Sequence, residues 1–410
     1  MTVPDIISPY GSKLNDLVAR DAGIKAQLEA EAKLLPRILL NERQLCDLEL
    51  IMNGGFSPLT GFFTKEMYEG VVENMRLPDN TLWPIPIYLD IYTEKYNSEN
   101  SKEHQFDSLK PQSRVVLVDP RNNSDLAILT VSDIYKIDFI NEAKKVYNTT
   151  DDLHPAVKYL YTKTGDVNLG GEIQAINPIS HSDFIELRLT PSQTRSHFKE
   201  NMPGNVVAFQ TRNPMHRAHL ELTVRAGKKV NANIFVHPVV GMTKPGDIDY
   251  VTRVKVYKMI MEHYNPKESA FLSLLPLAMR MGGPKEAVLH AIIRRNYGAT
   301  HIIVGRDHAG PGSDKQGNLF YGPYDAQELA IKYKSELGIE IVPFSMLTYL
   351  PDQDIYEEFD KLVPGTKTLN ISGTELRNRL VTGQEIPEWF SFANVVKVLR
   401  EGQEASKLSS

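Results

Sequence analysis

The decapeptide QTRNPMHRAH (210–219) sets two histidines, two arginines, two carboxamides and a threonine directly behind the apolar run VVAF. His216 and His219 are three apart where a helix is predicted to start, so both imidazoles project from one side of its first turn. The unsatisfied N–H groups and the dipole at such a terminus favour an anion. Pro214 fits a loop just before the helix, where no backbone donor is needed. Arg212 adds a planar fork suited to a tetrahedral oxyanion, and Gln210 and Asn213 add neutral donors. Donors without a carboxylate read as a site for phosphate or sulfate. Two other readings compete. The His pair could be half of a metal site, although no third ligand lies near it in sequence. Or the stretch is a solvated loop without function, which the apolar strand before it argues against.

A second group, GRDHAGPG (305–312), again follows an apolar strand, HIIV. Its three glycines let the backbone approach a ligand closely, and Arg306 and His308 add charge and hydrogen bonding. Alone it would be a glycine-rich turn. Two such loops at the ends of two strands of one sheet weaken that reading for both. In a third stretch, NISGTELRNRL (370–380), Ser372 or Thr374 could cap a helix carrying Arg377 and Arg379, with an ordinary capped helix an equal reading. No GxxxxGK[ST] occurs, so no Walker loop cradles a phosphate.

These groups need elements that present strand ends. From about residue 183, strand candidates at 206–209, 233–237, 270–274, 301–304 and 340–343 alternate with helix candidates at 218–230, 250–263, 284–296 and 325–336. That rhythm predicts a parallel, doubly wound α/β sheet, which binds ligands beyond the carboxyl ends of its strands. A small helical tail follows, at 373–381 and 388–401, broken by Gly383 and Pro387. Residues 1–182 are mixed, with strands in the majority. Helices are expected at 15–33 and 42–52, turns in GGFSPLTGFF (54–63), and antiparallel strands at 83–91, 114–118 and 126–131. The polar tract 93–108 is expected to be a mobile excursion between strands. The division predicted is 1–182, 183–345 and 346–410.

A chain of 410 residues can build two or more domains, and 41% hydrophobic with 24% charged residues is the balance of a soluble globular protein. A net charge of -5 argues against a non-specific nucleic-acid binder but leaves room for a local basic pocket. The lone Cys46 excludes an intrachain disulfide and suits a reducing compartment. Its flanks, RQLCDLEL, look like one helix face, so it reads as a core thiol. MTVPDIISPYG lacks a basic segment followed by an apolar one, so no signal peptide is expected. No apolar run approaches the roughly 20 residues that span a bilayer. The sequon-like Asn122-Asn123-Ser124 and Asn370-Ile371-Ser372 are then unused. A soluble, cytoplasmic chain without membrane or nucleic-acid partners is the expectation.

Taken together, QTRNPMHRAH, GMTKPGDID (241–249), PLAMRMGGP (276–284), GRDHAGPG, FYGPYDAQ (320–327) and NISGTELR resemble, in order, the motifs of the ATP sulfurylase (sulfate adenylyltransferase) family in its fungal form. RQLCDLELIMNGGFSPLTGF (43–62) resembles that family's N-terminal domain. HRAH is a variant of the HxGH signature of α/β nucleotidyltransferases, with Ala218 for glycine, and ISGTELR of ISSTxxR, with Gly373 for serine. The resemblance implies a β-rich PUA-like N-terminal domain, a Rossmann-like catalytic domain and a small helical C-terminal subdomain. It implies that MgATP and sulfate give adenosine 5′-phosphosulfate and pyrophosphate. Thr211, Arg212, Asn213, His216 and His219 would be catalytic. Gln210, Arg212 and the N–H of Ala309 would hold sulfate. Gln210, Thr211, Arg212 and Asn213, with Gly305, Arg306, Asp307, His308 and Leu347, would contact ATP. His216 and His219 would sit on its phosphates, and Met346 would be a substrate-switch position. No metal site on the protein is implied. Many fungal members continue into a kinase-like C-terminal domain used for hexamer assembly. This chain stops at residue 410, so that domain is expected to be absent or truncated, and a homo-oligomer is expected of a full-length form.

The chemistry agrees with the residues. Sulfate is already an oxyanion, so no side chain need deprotonate it. The work is to bring two anions together and stabilise charge developing on the phosphates. Two alternatives remain: a nucleotidyltransferase of the same HxGH type with another acceptor, such as a phosphopantetheine or nicotinamide mononucleotide, and an RNA-binding protein built on the PUA-like domain. The first leaves QTRN and GRDHAGPG unexplained. Acidic net charge counts against the second.

Overall fold

The computed structural model describes residues 6–92 and 109–409, so the tract 93–108 lies outside the described residues. Asp21 caps the first helix, Ala22–Ala32, by accepting from the N–H groups of Gly23 and Ile24, so the helix begins there rather than at position 15. Asn41 and Gln44 form a reciprocal capping box on the next helix, Glu42–Met52, which matches its predicted bounds. Six strands make the N-terminal sheet: β1 (Arg37–Leu39), β2 (Gly61–Phe62), β3 (Leu89–Ile91), β4 (Arg114–Asp119), β5 (Ser124–Tyr135) and β6 (Val167–Ala175). The order is β1-β4-β5-β6-β2, with β3 also on β6, and the pairs are antiparallel except β1 with β4.

Two departures from expectation have clear causes. The strand foreseen at 83–91 contracts to Leu89–Ile91 because Pro84 and Pro86 have no N–H to give a ladder. Strand β6 escaped notice because its centre is Gly170-Gly171, which resembles a turn. A side chain at Gly170 would strike the Phe63 carbonyl, with the Cβ at 2.3 Å, so the glycine serves close approach of two backbones rather than a bend.

The second sheet has five strands, all parallel: β7 (Asn205–Phe209), β8 (Ala232–Val236), β9 (Ala270–Leu272), β10 (His301–Val304) and β11 (Glu340–Pro343), in the order β11-β10-β7-β8-β9. Helices Arg217–Val230, Tyr250–Met261, Gly283–Asn296 and Asp325–Lys332 alternate with them. The chain runs outward from β7 to β9 and then returns to the other side of β7 at β10. The crevice above β7 and β10 is therefore the switch point at which such sheets bind ligands. After β11 comes a hairpin that the sequence did not reveal, β12 (Leu347–Leu350) with β13 (Ile355–Glu358). Helices Gly373–Thr382 and Ala393–Ser409 follow, and their Leu376, Leu380, Val395 and Leu399 pack in one core with Val254 and Ile260.

The two sheets share a continuous core. Leu48, Phe56 and Trp83 pack in one cluster with Leu275, Ile292 and Tyr297. A fully buried ion pair, Arg280 to Asp47 at 2.5 Å, crosses the same boundary. The Asn296 amide donates to the carbonyls of Gly55 and Ser57, both at 3.0 Å. At Gly241 a Cβ would lie 2.4 Å from the Leu277 carbonyl oxygen and 2.8 Å from Cys46 Sγ. The Cys46 thiol, raised to about 12 by burial, is a core group as expected.

Candidate active site

Strands β7 and β10 end at Phe209 and Val304, and the segments after them face each other across a cavity of about 330 Å³. The candidate catalytic, ATP and sulfate residues border it. The first segment contributes Gln210, Thr211, Arg212, Asn213, His216 and His219. From the second come Gly305, Arg306, Asp307, His308 and Ala309. Met346 and Leu347, at the start of the hairpin, close one side. Among the described residues, the only acidic side chain in the wall is Asp307.

The first loop is held largely through its backbone carbonyls. Thr211 Oγ1 accepts the Asn213 N–H (3.1 Å) and donates to the Asn213 carbonyl (3.2 Å). From the helix Tyr250–Met261, buried Arg253 donates to the carbonyls of Arg212 (2.8 Å) and Val239 (2.9 Å), and the Tyr257 hydroxyl to that of Asn213 (2.9 Å). Neither residue stood out in the sequence, where they look like ordinary members of a helix between two strands.

Arg212 corrects one expectation. The stretch was read as free of carboxylates, yet Arg212 Nη1 donates to both oxygens of Asp247, at 2.5 Å, from the distant segment GMTKPGDID. Sequence spacing could not show this, because 35 residues separate the two. The Nε and Nη2 groups donate to nothing among the described residues, so this edge of the fork remains for two parallel hydrogen bonds to an oxyanion.

His216 is the N-cap of the helix Arg217–Val230, and its backbone N–H donates to His219 Nδ1 at 3.4 Å. Burial pushes the His219 pKa down to about 4, and that of His216 well below the usual range, with the neighbouring imidazole adding to the effect. Both rings are neutral near pH 7. With Nδ1 accepting, the His219 proton sits on Nε2, which makes Nε2–H a donor. His216 stacks on Phe390, 4.4 Å between centroids, so the tail fixes its ring plane.

In the second loop Asp307 and Ala309 both take positive φ, 54° and 53°. Non-glycine residues held there are strained, and alternating left-handed positions turn backbone N–H groups into a concave anion nest. The N–H groups of His308 and Ala309 donate to nothing among the described residues. His308 is held from behind: its Nε2 lies 2.9 Å from His290 Nδ1. His290 Nε2 in turn lies 3.7 Å from Glu286, whose carboxylate accepts the N–H groups of Arg280 and Gly282. His290 and Glu286 were not foreseen.

The third stretch behaves as an ordinary capped helix. Ser372 accepts the Glu375 N–H at 3.1 Å, Arg379 is bound to Glu375, and only Asn370 reaches the cavity. Among the described residues no group of three His, Cys, Asp or Glu could hold a metal ion, and no helix is long and apolar enough to cross a membrane.

Residues 185–402 match the ATP-sulfurylase family model and residues 7–178 a PUA-like domain. A sulfate adenylyltransferase of Schizosaccharomyces pombe is 60% identical over 389 residues, covering 95% of this chain and 77% of that protein. One from Gibberella zeae is 57% identical over 394 residues, 96% of this chain and 67% of that protein. Among solved structures, one described as the hexameric APS kinase from Thiobacillus denitrificans superposes with a TM-score of 0.76 at 28% identity, over 97% of this chain and 69% of that one.

Proposed function

The chain belongs to the ATP-sulfurylase family of nucleotidyltransferases, and on that premise we propose how its residues transfer AMP from MgATP to sulfate. The observation that carries the proposal is the meeting of two donor-rich loops, after β7 and β10, over one cavity. Sulfate lies on the first loop and the nest, held by Gln210, the open edge of Arg212 and the Ala309 N–H. ATP, bringing Mg²⁺ with it as substrate, contacts Gln210, Thr211, Arg212 and Asn213, with Gly305, Arg306, Asp307, His308 and Leu347. His216, the helix N-terminus behind it and His219 Nε2–H meet the phosphates, and Met346 is a substrate-switch position. A sulfate oxygen then attacks the α-phosphorus and the bond to the β-phosphate oxygen breaks, giving adenosine 5′-phosphosulfate and pyrophosphate, with no proton to move. The contribution of the chain is placement of two anions and preorganised donors for charge on the leaving pyrophosphate.

The proposal extends to a division at 1–182, 183–345 and 346–410, to a cytoplasmic place in sulfate assimilation toward cysteine and methionine, and to a homo-oligomer in a full-length form. The hexameric neighbour supports the last. Pyrophosphate release from ATP tests the function: it should require sulfate and Mg²⁺, and phosphate should not replace sulfate. Equal turnover without sulfate would contradict it.

A further inference from the structure

Behind the first loop, on the helix Gly283–Asn296, lies Arg294, fully buried. Its Nη2 donates to the side-chain oxygen of Gln210 and to the His237 carbonyl (2.9 Å), while Nε and Nη1 have no hydrogen-bond partner. No carboxylate pairs with it among the described residues, and burial lowers its pKa to about 9. Beside it His237 is buried with both ring nitrogens unpartnered, and an imidazole, neutral or cationic, offers no counter-charge. An unpaired buried cation is costly to a fold, and packing alone would be served better by an apolar side chain.

What this cation does follows from its chemistry. A guanidinium has donors and no acceptor. The carboxamide facing it must therefore present its oxygen inward and its NH₂ outward. Gln210 does so, with Nε2 3.7 Å from Met279 Sδ in the cavity wall. A flipped amide would set N–H against N–H, and would turn a carbonyl oxygen toward a bound anion.

We propose that Arg294 is a positioning residue for the acceptor anion: it locks the Gln210 carboxamide with its N–H groups facing sulfate. The inference rests on the reading of Gln210 as a sulfate contact. It confines the effect of Arg294 to what Gln210 does, so the loss falls mainly on sulfate and any effect on ATP is no larger than that of losing Gln210.

A double-mutant cycle on the whole chain tests it, with KM read separately for sulfate and ATP and thermal melting used to confirm folding. Gln210→Ala and Arg294→Met should each raise the KM for sulfate roughly ten- to a hundredfold, the range for one hydrogen bond to a charged group. Because Gln210 also contacts ATP, the KM for ATP should rise by less than that for sulfate and no more in Arg294→Met than in Gln210→Ala, and the double variant should be no worse than the worse single. An unchanged sulfate KM in Arg294→Met, an equal rise for ATP, or losses that add in the double variant would overturn the proposal while leaving the role of Gln210 intact. If Gln210→Ala itself leaves the sulfate KM unchanged, the reading of Gln210 falls and this inference with it. Should Arg294→Met fail to fold, Arg294→Gln takes its place under the same expectations.

Discussion

One hydrogen bond decides what His219 offers a substrate. Because Nδ1 takes the His216 backbone N–H, the neutral ring can only donate from Nε2. His219→Ala should therefore lower kcat by roughly 10²–10³, as when an oxyanion donor is removed, with the KM for ATP little changed in steady-state assays. An intact kcat with a raised KM would make it a ground-state binding residue instead. Arg212 carries a sharper expectation. Asp247 already occupies Nη1, so sulfate meets the Nε and Nη2 edge. A lysine would present a single ammonium to both Asp247 and sulfate and could not reproduce the paired bonds. Arg212→Lys should lose most turnover at low sulfate, while calorimetric ATP binding without sulfate weakens much less, because the histidine pair and Gly305–His308 carry that part. Near-parental turnover at low sulfate would show that charge alone suffices.

At the scale of elements, the parallel sheet was legible because its strands are buried on both faces and read as continuous apolar runs, VVAF and HIIV, each ending at a polar loop. The candidates at 210–219 and 305–309 lay in those loops, and the family resemblance added Met346 and Leu347 at the hairpin start, whereas of the candidate stretch 370–380 only Asn370 reaches the cavity. What holds the loops could not be named from sequence. Arg253, Tyr257, His290 and Arg294 sit on helices whose sequence pattern is that of core packing, and their partners are backbone carbonyls or side chains far along the chain. In the N-terminal domain, the short helices Lys65–Asn74, Phe139–Tyr147 and Pro155–Lys163 were passed over between strand signals. Their stability comes from tertiary packing, as burial of Val71, Val146 and Val157 attests, rather than from local pattern. The hairpin β12–β13 was missed for the opposite reason: its outer strand, Ile355–Glu358, ends in two acidic residues and buries little.

For the molecule as a whole, one core cluster shared by both sheets and the Asp47–Arg280 pair bind them into one unit, and buried imidazoles make that unit sensitive to acid. His154 accepts the Ala156 N–H, and burial holds both it and His219 at about 4, against a usual 6.5. Below 6.5 the unfolded chain binds protons that the folded chain refuses, so stability is complete above 6.5 and is lost as the pH falls toward 4. Melting temperatures should be level from neutral pH down to about 6.5 and decline below it; a flat profile to pH 4 would mean that the rings protonate freely in the folded state. The central claim is that both anions occupy one cavity and react directly, without an adenylylated side chain. Exchange of labelled pyrophosphate into ATP reads this out. A direct transfer predicts exchange only when sulfate is present, since the bond to pyrophosphate breaks only under attack by sulfate. Exchange at the same rate in sulfate-free solution would reveal a covalent AMP intermediate on the protein and contradict the account.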